Sequence, residues 1–447
     1  MSGKAKHNKV AGAVGSAASA GFDPAAEAAV PGAASASASF GAAAKAVAAG
    51  TAGAPFFSIV MPMYGSEAFI ANALFDVQNQ IFGNWELIVV DDASPDSSRV
   101  IVEQAAAADS RIRLETHAQN RGLSAARNTG LAASRGEYVW FPDPDDRYDF
   151  TLLQSVYNSL AQQQAPVVMF GHVEEFYPVP KGVADRPEPK GAGVKGGSAG
   201  AAAVEGGAAG RSALKGAATQ PAPTNVVDFS LETHHYGRAK LRSHVLEFEK
   251  RTHYGYAWNK VYKRSYLQQG SFQFTEDLPL IEDIEFNVRV FQDLPALNVV
   301  GQTLYRYAKR EQANLTNKFV PRYYEVHRRR IEMLRNQLES WDLLTEEAKA
   351  TLGALYSRYV LSALERNRQK ESGMSSAQQR EWLEGVFADP LFGELVPNAR
   401  AESRALATCL KPMQQRDVAK TLALGKLIHA AKGGALHSVF QKLKAGR

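Results

Sequence analysis

Residues 141–146 read Phe-Pro-Asp-Pro-Asp-Asp, which crowds the carboxylates of Asp143, Asp145 and Asp146 into four positions. Like charges this close repel, and a fold tolerates them where a cation or hydrogen-bond donors compensate. Hard divalent ions such as Mn2+ or Mg2+ suit that role. They take one or two carboxylates and complete their shell with substrate phosphate oxygens. The plainer reading is a solvated acidic turn that caps the helix after Asp149. A second pair, Asp91-Asp92, opens the segment DDASPDSS, which could equally be a turn and an N-cap before the next helix.

The elements around these carboxylates decide between the readings. Residues 56–64 (FFSIVMPMY) and 85–92 (WELIVVDD) are apolar runs of strand length, and the second ends in the carboxylate pair. Between them Phe69, Ile70, Ala73, Leu74 and Val77 recur at helical spacing over 66–80. A helix near 97–108, a strand at 111–116, a helix at 123–134 and a strand at 137–143 follow. Alternation of near-continuous apolar strands with helices predicts an α/β fold, a mainly parallel sheet with helices on both faces. Ligands of such sheets bind beyond the carboxyl ends of the strands, which points to Tyr64, Asp91-Asp92 and Asp143–Asp146.

Composition divides the rest of the chain. Of 447 residues, 45% are hydrophobic and 22% charged, as in a soluble globular protein, and the net charge of +5 is too mild to argue for nucleic acid. Residues 1–54 are rich in Ala, Gly and Ser, with Phe22 and Phe40 the only aromatics, and read as a disordered leader rather than a signal peptide. Residues 178–224 repeat that character and read as a flexible insertion. They split a domain at 55–320 into halves at 55–177 and 225–320, and a helical, basic region occupies 321–447. A single cysteine, Cys409, excludes an intramolecular disulfide and fits a reducing compartment, so a cytoplasmic location is expected. No run of about 18 strongly apolar residues predicts a membrane span.

Two absences narrow the chemistry. No GxGxxG follows the first strand, where the chain reads Tyr64-Gly65-Ser66-Glu67, and no GxxxxGK[ST] occurs anywhere. Phosphates would then be neutralised chiefly by a metal. SIVMPMYGSEAFIANAL, WELIVVDDASPDSS and NRGLSAARNTGLAASRGEYVWFPDPDD together resemble the family 2 glycosyltransferases of GT-A fold, over about 55–165 and more weakly to about 320. The resemblance implies a nucleotide-diphospho-sugar donor. Pro62 and Tyr64 would sit at its base, with Tyr64 stacking and Asp92 hydrogen-bonding the base edge. Arg127 and Asn128 would line the donor pocket. Asp143 and Asp145, with Asp146 adjoining, would hold the ribose and the metal on the diphosphate. Pro144 and Gly65 depart from the family pattern, and Pro144 removes a backbone amide that could have met phosphate.

The second half resembles the family's WNK segment at 256–263 and its ED motif, for which Glu276-Asp277 and Glu282-Asp283 both qualify. Glu282-Asp283 precedes a segment of helical character, whereas Asp277 is followed by Leu278-Pro279. Asp283 is therefore the expected general base, although it could also cap that helix. Trp258, Asn259, Lys260 and Glu282 are expected on the acceptor side, Trp258 being equally readable as a core aromatic. Attack by an acceptor hydroxyl in a single displacement would invert configuration, and the resemblance points to a glycan or lipid-linked acceptor in envelope or exopolysaccharide synthesis. A noncatalytic nucleotide-sugar-binding scaffold and a sugar nucleotidyltransferase are the competing readings. In the tail, Leu424, Leu427 and Ile428, then Leu436, Val439, Phe440 and Leu443, recur at helical spacing among lysines. Such a helix could lie on an anionic membrane or pack on the domain.

Overall fold

The computed structural model describes residues 54–178, 222–278, 280–310, 320, 322–401 and 404–432. The expected leader and insertion lie outside the described residues except at their borders, as does the tail beyond 432.

Strand β1 (Phe57–Met63) and strand β2 (Trp85–Asp91) are buried along their whole length. Alternate residues feed two different cores. Phe57, Ile59, Met61, Leu87 and Val89 join one cluster, and Val60, Ile88 and Val90 join the other. That is why these strands read as continuous apolar runs: a sheet covered on both faces has no solvent face to pattern.

Strand β3 (Ile112–Thr116), β2, β1 and β4 (Tyr138–Trp140) pair in parallel. Beyond β4 the sheet continues through β9 (Lys260–Lys263), β6 (Val167–Tyr177), β10 (Ala296–Arg310) and the short β5 (Arg147–Tyr148). β9 runs antiparallel to both β4 and β6, while β6 and β10 form a long parallel pair. β7 (Asn225–Phe229) and β8 (His234–Gly237) add antiparallel edges to β6 and β10. The sheet is mainly parallel, as expected, and its antiparallel pairs all lie from β4 outward toward β5.

Helices α1 (Ile70–Gln78), α2 (Ser98–Ala108), α3 (Leu123–Ala133) and α4 (Leu152–Gln162) connect the first strands. α3 lies directly on β1, for a Cβ on Gly130 would fall 2.3 Å from Cγ1 of Val60. Gly130→Ala is therefore expected to destabilise the protein by about 1–3 kcal/mol through overpacking. Thermal unfolding checks this, and an unchanged Tm would mean that α3 can retreat freely.

Helices α5 (Arg238–Lys250), α6 (Arg264–Gln269) and α7 (Glu282–Phe291) belong to the second half of the domain. The described residues beyond 321 are mainly helical, as expected: α8 (Tyr323–Ser340), α9 (Glu346–Arg366), α10 (Ser376–Ala388), α11 (Pro390–Leu395), α12 (Arg404–Gln414) and α13 (Val418–Lys432). These helices share their core with the sheet. Val60, Phe286, Ile331, Tyr356 and Met413 all belong to one buried cluster. Among the described residues no helix is long and apolar enough to cross a membrane.

Candidate active site

The acidic segment leaves β4 as a turn. The amide of Asp146 donates to the carbonyl of Asp143 at 3.3 Å, and Pro144 takes the second turn position, where its fixed φ is suited. The amide that proline lacks is not one the turn needs.

Asp146 then pins the turn to β10. The Tyr305 hydroxyl donates to one of its oxygens at 2.6 Å and the Ala308 amide to the other at 2.8 Å. Burial, with the charges of Asp145 and Asp143 adding, pushes the Asp146 carboxyl well above the usual range. Expected beside the donor, Asp146 spends both oxygens on the fold. Tyr305 also accepts the Asp143 amide at 3.1 Å, and Tyr148 donates to the Asp143 carbonyl at 2.5 Å.

The pinned turn leaves the other two carboxylates available. Asp143 meets a guanidinium nitrogen of Arg127 at 3.1 Å, and Asp145 meets Arg310 at 3.1 Å. Arg127 projects from α3 and is 1% exposed. Its other terminal nitrogen lies 2.5 Å from Asp283 and 3.6 Å from Glu282, both in the first turn of α7. One buried guanidinium thus joins the strand-end carboxylate to the expected base, which lies 156 positions beyond Arg127 in sequence.

Asp283 does not cap its own helix, because the N-cap residue is Ile281. Its second oxygen instead accepts the Ala257 amide at 3.0 Å. Glu282 is pushed up to about 7 by burial first and by the neighbouring Asp283 charge second. The rival pair, Glu276-Asp277, sits on an exposed segment. Glu276 pairs with Arg121 at 3.2 Å. Asn128, expected in the donor pocket, brackets that same segment. Its amide donates to the Phe274 carbonyl and accepts the Phe274 amide, each at 2.8 Å.

On the side expected to hold the base of the donor, Pro62 is buried within β1 and Tyr64, just past its end, is 54% exposed. Asp91 serves the turn foreseen for DDASPDSS, accepting the Ser94 amide at 3.0 Å. Asp92 reaches sideways instead. It accepts the amides of Arg121 and Gly122 at 2.8 and 2.7 Å and contacts His117 at 2.6 Å. His117 in turn meets Thr129 on α3 at 2.9 Å, so Asp92 fixes the loop that launches the helix carrying Arg127.

Trp258, Asn259 and Lys260 are buried beneath the site. Trp258 stacks on Tyr305 with ring centroids 4.3 Å apart, and its carbonyl accepts the Trp140 indole N–H at 2.7 Å. The Lys260 ammonium donates to the carbonyls of His253, Tyr254 and Tyr256 and to Asn259, and burial lowers it to about 7. These residues shape the floor; none offers the acceptor-facing surface expected of it. The functional partners missed by sequence reasoning are His117, Tyr305 and Arg310. They belong to no motif, and the alternation of polar and apolar residues in LYRYAKR is the signal that could have set Tyr305 and Arg310 on a strand.

Among the described residues no group of three His, Cys, Asp or Glu side chains is arranged to hold a metal alone. The site nevertheless fits a hard divalent ion that shares its shell with phosphate, since Asp143 and Asp145 supply two carboxylates. Burial holds Asp143 up at about 6, with Asp145 and Asp283 adding and Arg127 opposing. Arg127 alone faces Asp143, Asp283 and Glu282, an excess of negative charge that a cation would relieve.

Residues 58–191 match the model of a family described as "Glycosyl transferase family 2". EpsJ of Bacillus subtilis (strain 168), an uncharacterized glycosyltransferase, is 29% identical over 260 residues, which are 58% of this chain and 62% of EpsJ. The chain therefore spans less than two thirds of that relative. EpsH of the same organism, provisionally described as a glycosyltransferase, is 25% identical over 381 residues, 84% of this chain and 96% of its own. The S. aureus TarS structure solved with UDP-GlcNAc superposes with a TM-score of 0.50 at 19% identity, covering 83% of this chain and 90% of that one. The mainly parallel sheet, with carboxylates at its strand ends and a second acidic pair opening a helix beside them, has a GT-A-type fold, like that of TarS. Over residues 58–191 the chain is similar to glycosyltransferase family 2, and the relatives matched over more of its length are described as glycosyltransferases.

Proposed function

We propose that the protein transfers a sugar from a nucleoside diphosphate donor to an acceptor hydroxyl with inversion, in envelope or exopolysaccharide glycan assembly. The observation that carries this reading is Arg127, which draws Asp283 and the strand-end Asp143 into one pocket. Asp283 takes the proton of the acceptor hydroxyl as that oxygen bonds to the anomeric carbon and the bond to the diphosphate breaks. Asp143 and Asp145 would hold Mn2+ or Mg2+, which supplies charge neutralisation for the leaving diphosphate. Tyr64, exposed beyond β1, is placed to stack on the base. Trp258, Asn259 and Lys260 hold the floor on which the acceptor rests. The reading is tested by a panel of nucleotide sugars, with hydrolysis and transfer measured in Mn2+ and in EDTA. Turnover of no donor under either condition would leave a noncatalytic binding protein.

The tail reading also belongs to this proposal. Val418, Leu422 and Ile428 of α13 pack against the core, while Leu427 is 66% exposed. The described part of the tail thus docks on the protein, and membrane contact falls to the basic segment beyond 432. The full chain is expected to float with anionic liposomes, lose binding as salt rises, and stay in solution when truncated after Lys432. Equal flotation of both forms would remove the tail from membrane binding.

A further inference from the structure

In the helical region, α10, α13 and the turn after α9 line an open cavity of about 270 Å³ that shares no residue with the donor site. Its charged lining is wholly cationic: Arg368, Arg380 and Lys426. Ser376, in the first turn of α10, adds a hydroxyl at the end of that helix where the backbone dipole is positive. Leu422 and Ala423 of α13 form an apolar wall.

Arg368 is the unusual member. The most deeply packed arginines reach carboxylates: Arg127 meets Asp143 and Asp283, and Arg330 meets Glu249. Arg368 instead donates one terminal N–H to the Leu422 carbonyl at 3.1 Å. Its Nε is sealed from solvent with no partner among the described residues. A Cβ placed on Gly425 would lie 3.4 Å from that Nε, so α13 closes down on the guanidinium where a larger residue would crowd it. A partly desolvated cation without a counter-charge is costly, and an anion entering the cavity would remove that cost. At the rim, Arg380 is only loosely neutralised by Glu384 at 3.6 Å, since both side chains are about half exposed.

We propose that this cavity binds the phosphate group of a phosphate ester, with the half-buried Arg368 as the anchor and Lys426 and Arg380 as the rim. This binding is independent of the glycosyltransferase reading. Two sources share the chemistry, a phospholipid headgroup and a soluble phosphate compound. The test uses the full chain in EDTA, so that no metal-dependent phosphate binding contributes at the donor site. Inorganic phosphate is titrated against chloride at matched ionic strength, with thermal unfolding as the readout, and flotation is measured with phosphatidylglycerol and with phosphatidylcholine vesicles. Phosphate is expected to stabilise the protein beyond chloride. Arg368→Gln should weaken that binding about 10–100-fold, the effect of losing charge-assisted hydrogen bonds. Lys426→Gln, at an exposed position, should weaken it about 2–5-fold without touching the fold. Loss of phosphatidylglycerol flotation in the same variants identifies a headgroup, and phosphate binding with unchanged flotation identifies a soluble ester. If phosphate does no more than chloride, or if both variants bind it as the parent does, the proposal is overturned. Should Arg368→Gln fail to fold, Lys426→Gln decides alone.

Discussion

Asp283→Asn is expected to lower turnover by about 10²–10⁴-fold, the range that general-base catalysis contributes. The amide oxygen can still accept the Ala257 N–H, so the start of α7 should keep its place. What is lost is a group that can take the acceptor proton, together with a negative charge against Arg127. Donor affinity should change little, because donor contacts are assigned to the strand ends rather than to α7. Steady-state rates and calorimetric binding of the nucleoside diphosphate, measured on the same preparation, separate the two effects. The control is Asp277→Asn. Asp277 lies on the exposed segment that Asn128 and Arg121 hold through its neighbours, so its loss should be nearly silent. If Asp277→Asn abolished turnover and Asp283→Asn did not, the base would be on the wrong acidic pair.

How far the sequence could carry this site depended on the kind of interaction. The carboxylates at 143–146 were legible because their mutual repulsion needs a compensating partner, and placement at a strand end suggested where that partner lies. The two-faced burial of β1 and β2 was legible from unbroken apolar runs. Arg127 was named only through a family resemblance. Its pairing with Asp283 joins residues far apart in sequence, and no local pattern encodes a contact of that kind. Asp92 shows a different limit. Two of its partners are backbone amides, which every residue but proline carries, so no residue type announces them. Trp258 and Lys260 show a third. Identity alone did not tell that β9 would enter between β4 and β6 and bury the WNK segment beneath the site. Strand order in the second half rests on long-range pairing, for which hydrophobic period is silent.

Asp145→Ala carries the other large expected effect, on binding rather than turnover. Asp145 is the more open of the two proposed metal ligands, 38% exposed, and it takes no part in the Tyr305–Asp146 clamp that pins the turn. Its removal should leave the fold within about 1 kcal/mol of the parent, as for most exposed positions. Arg310 keeps the Asp145 carbonyl at 2.7 Å and its place over the Phe69 ring. Metal-stimulated affinity for the nucleoside diphosphate should fall by at least about 10²-fold, since losing even an outer-shell partner of a metal ligand costs 10–100-fold. Affinity in EDTA should be nearly the same for parent and variant. The parent should also show a pH signature. Asp143 stands at about 6, raised by burial, and its proton competes with a cation for the same oxygens. Metal-stimulated binding should therefore be full above that value and decline as pH falls through it. An unperturbed aspartate would hold its ligand to about pH 4. Calorimetric titration of nucleoside diphosphate from pH 5 to 8, with Mn2+ and with EDTA, reads both effects. Equal affinity of the parent in the two conditions would remove the metal from this site and leave Arg127 and Arg310 as the groups that neutralise the diphosphate.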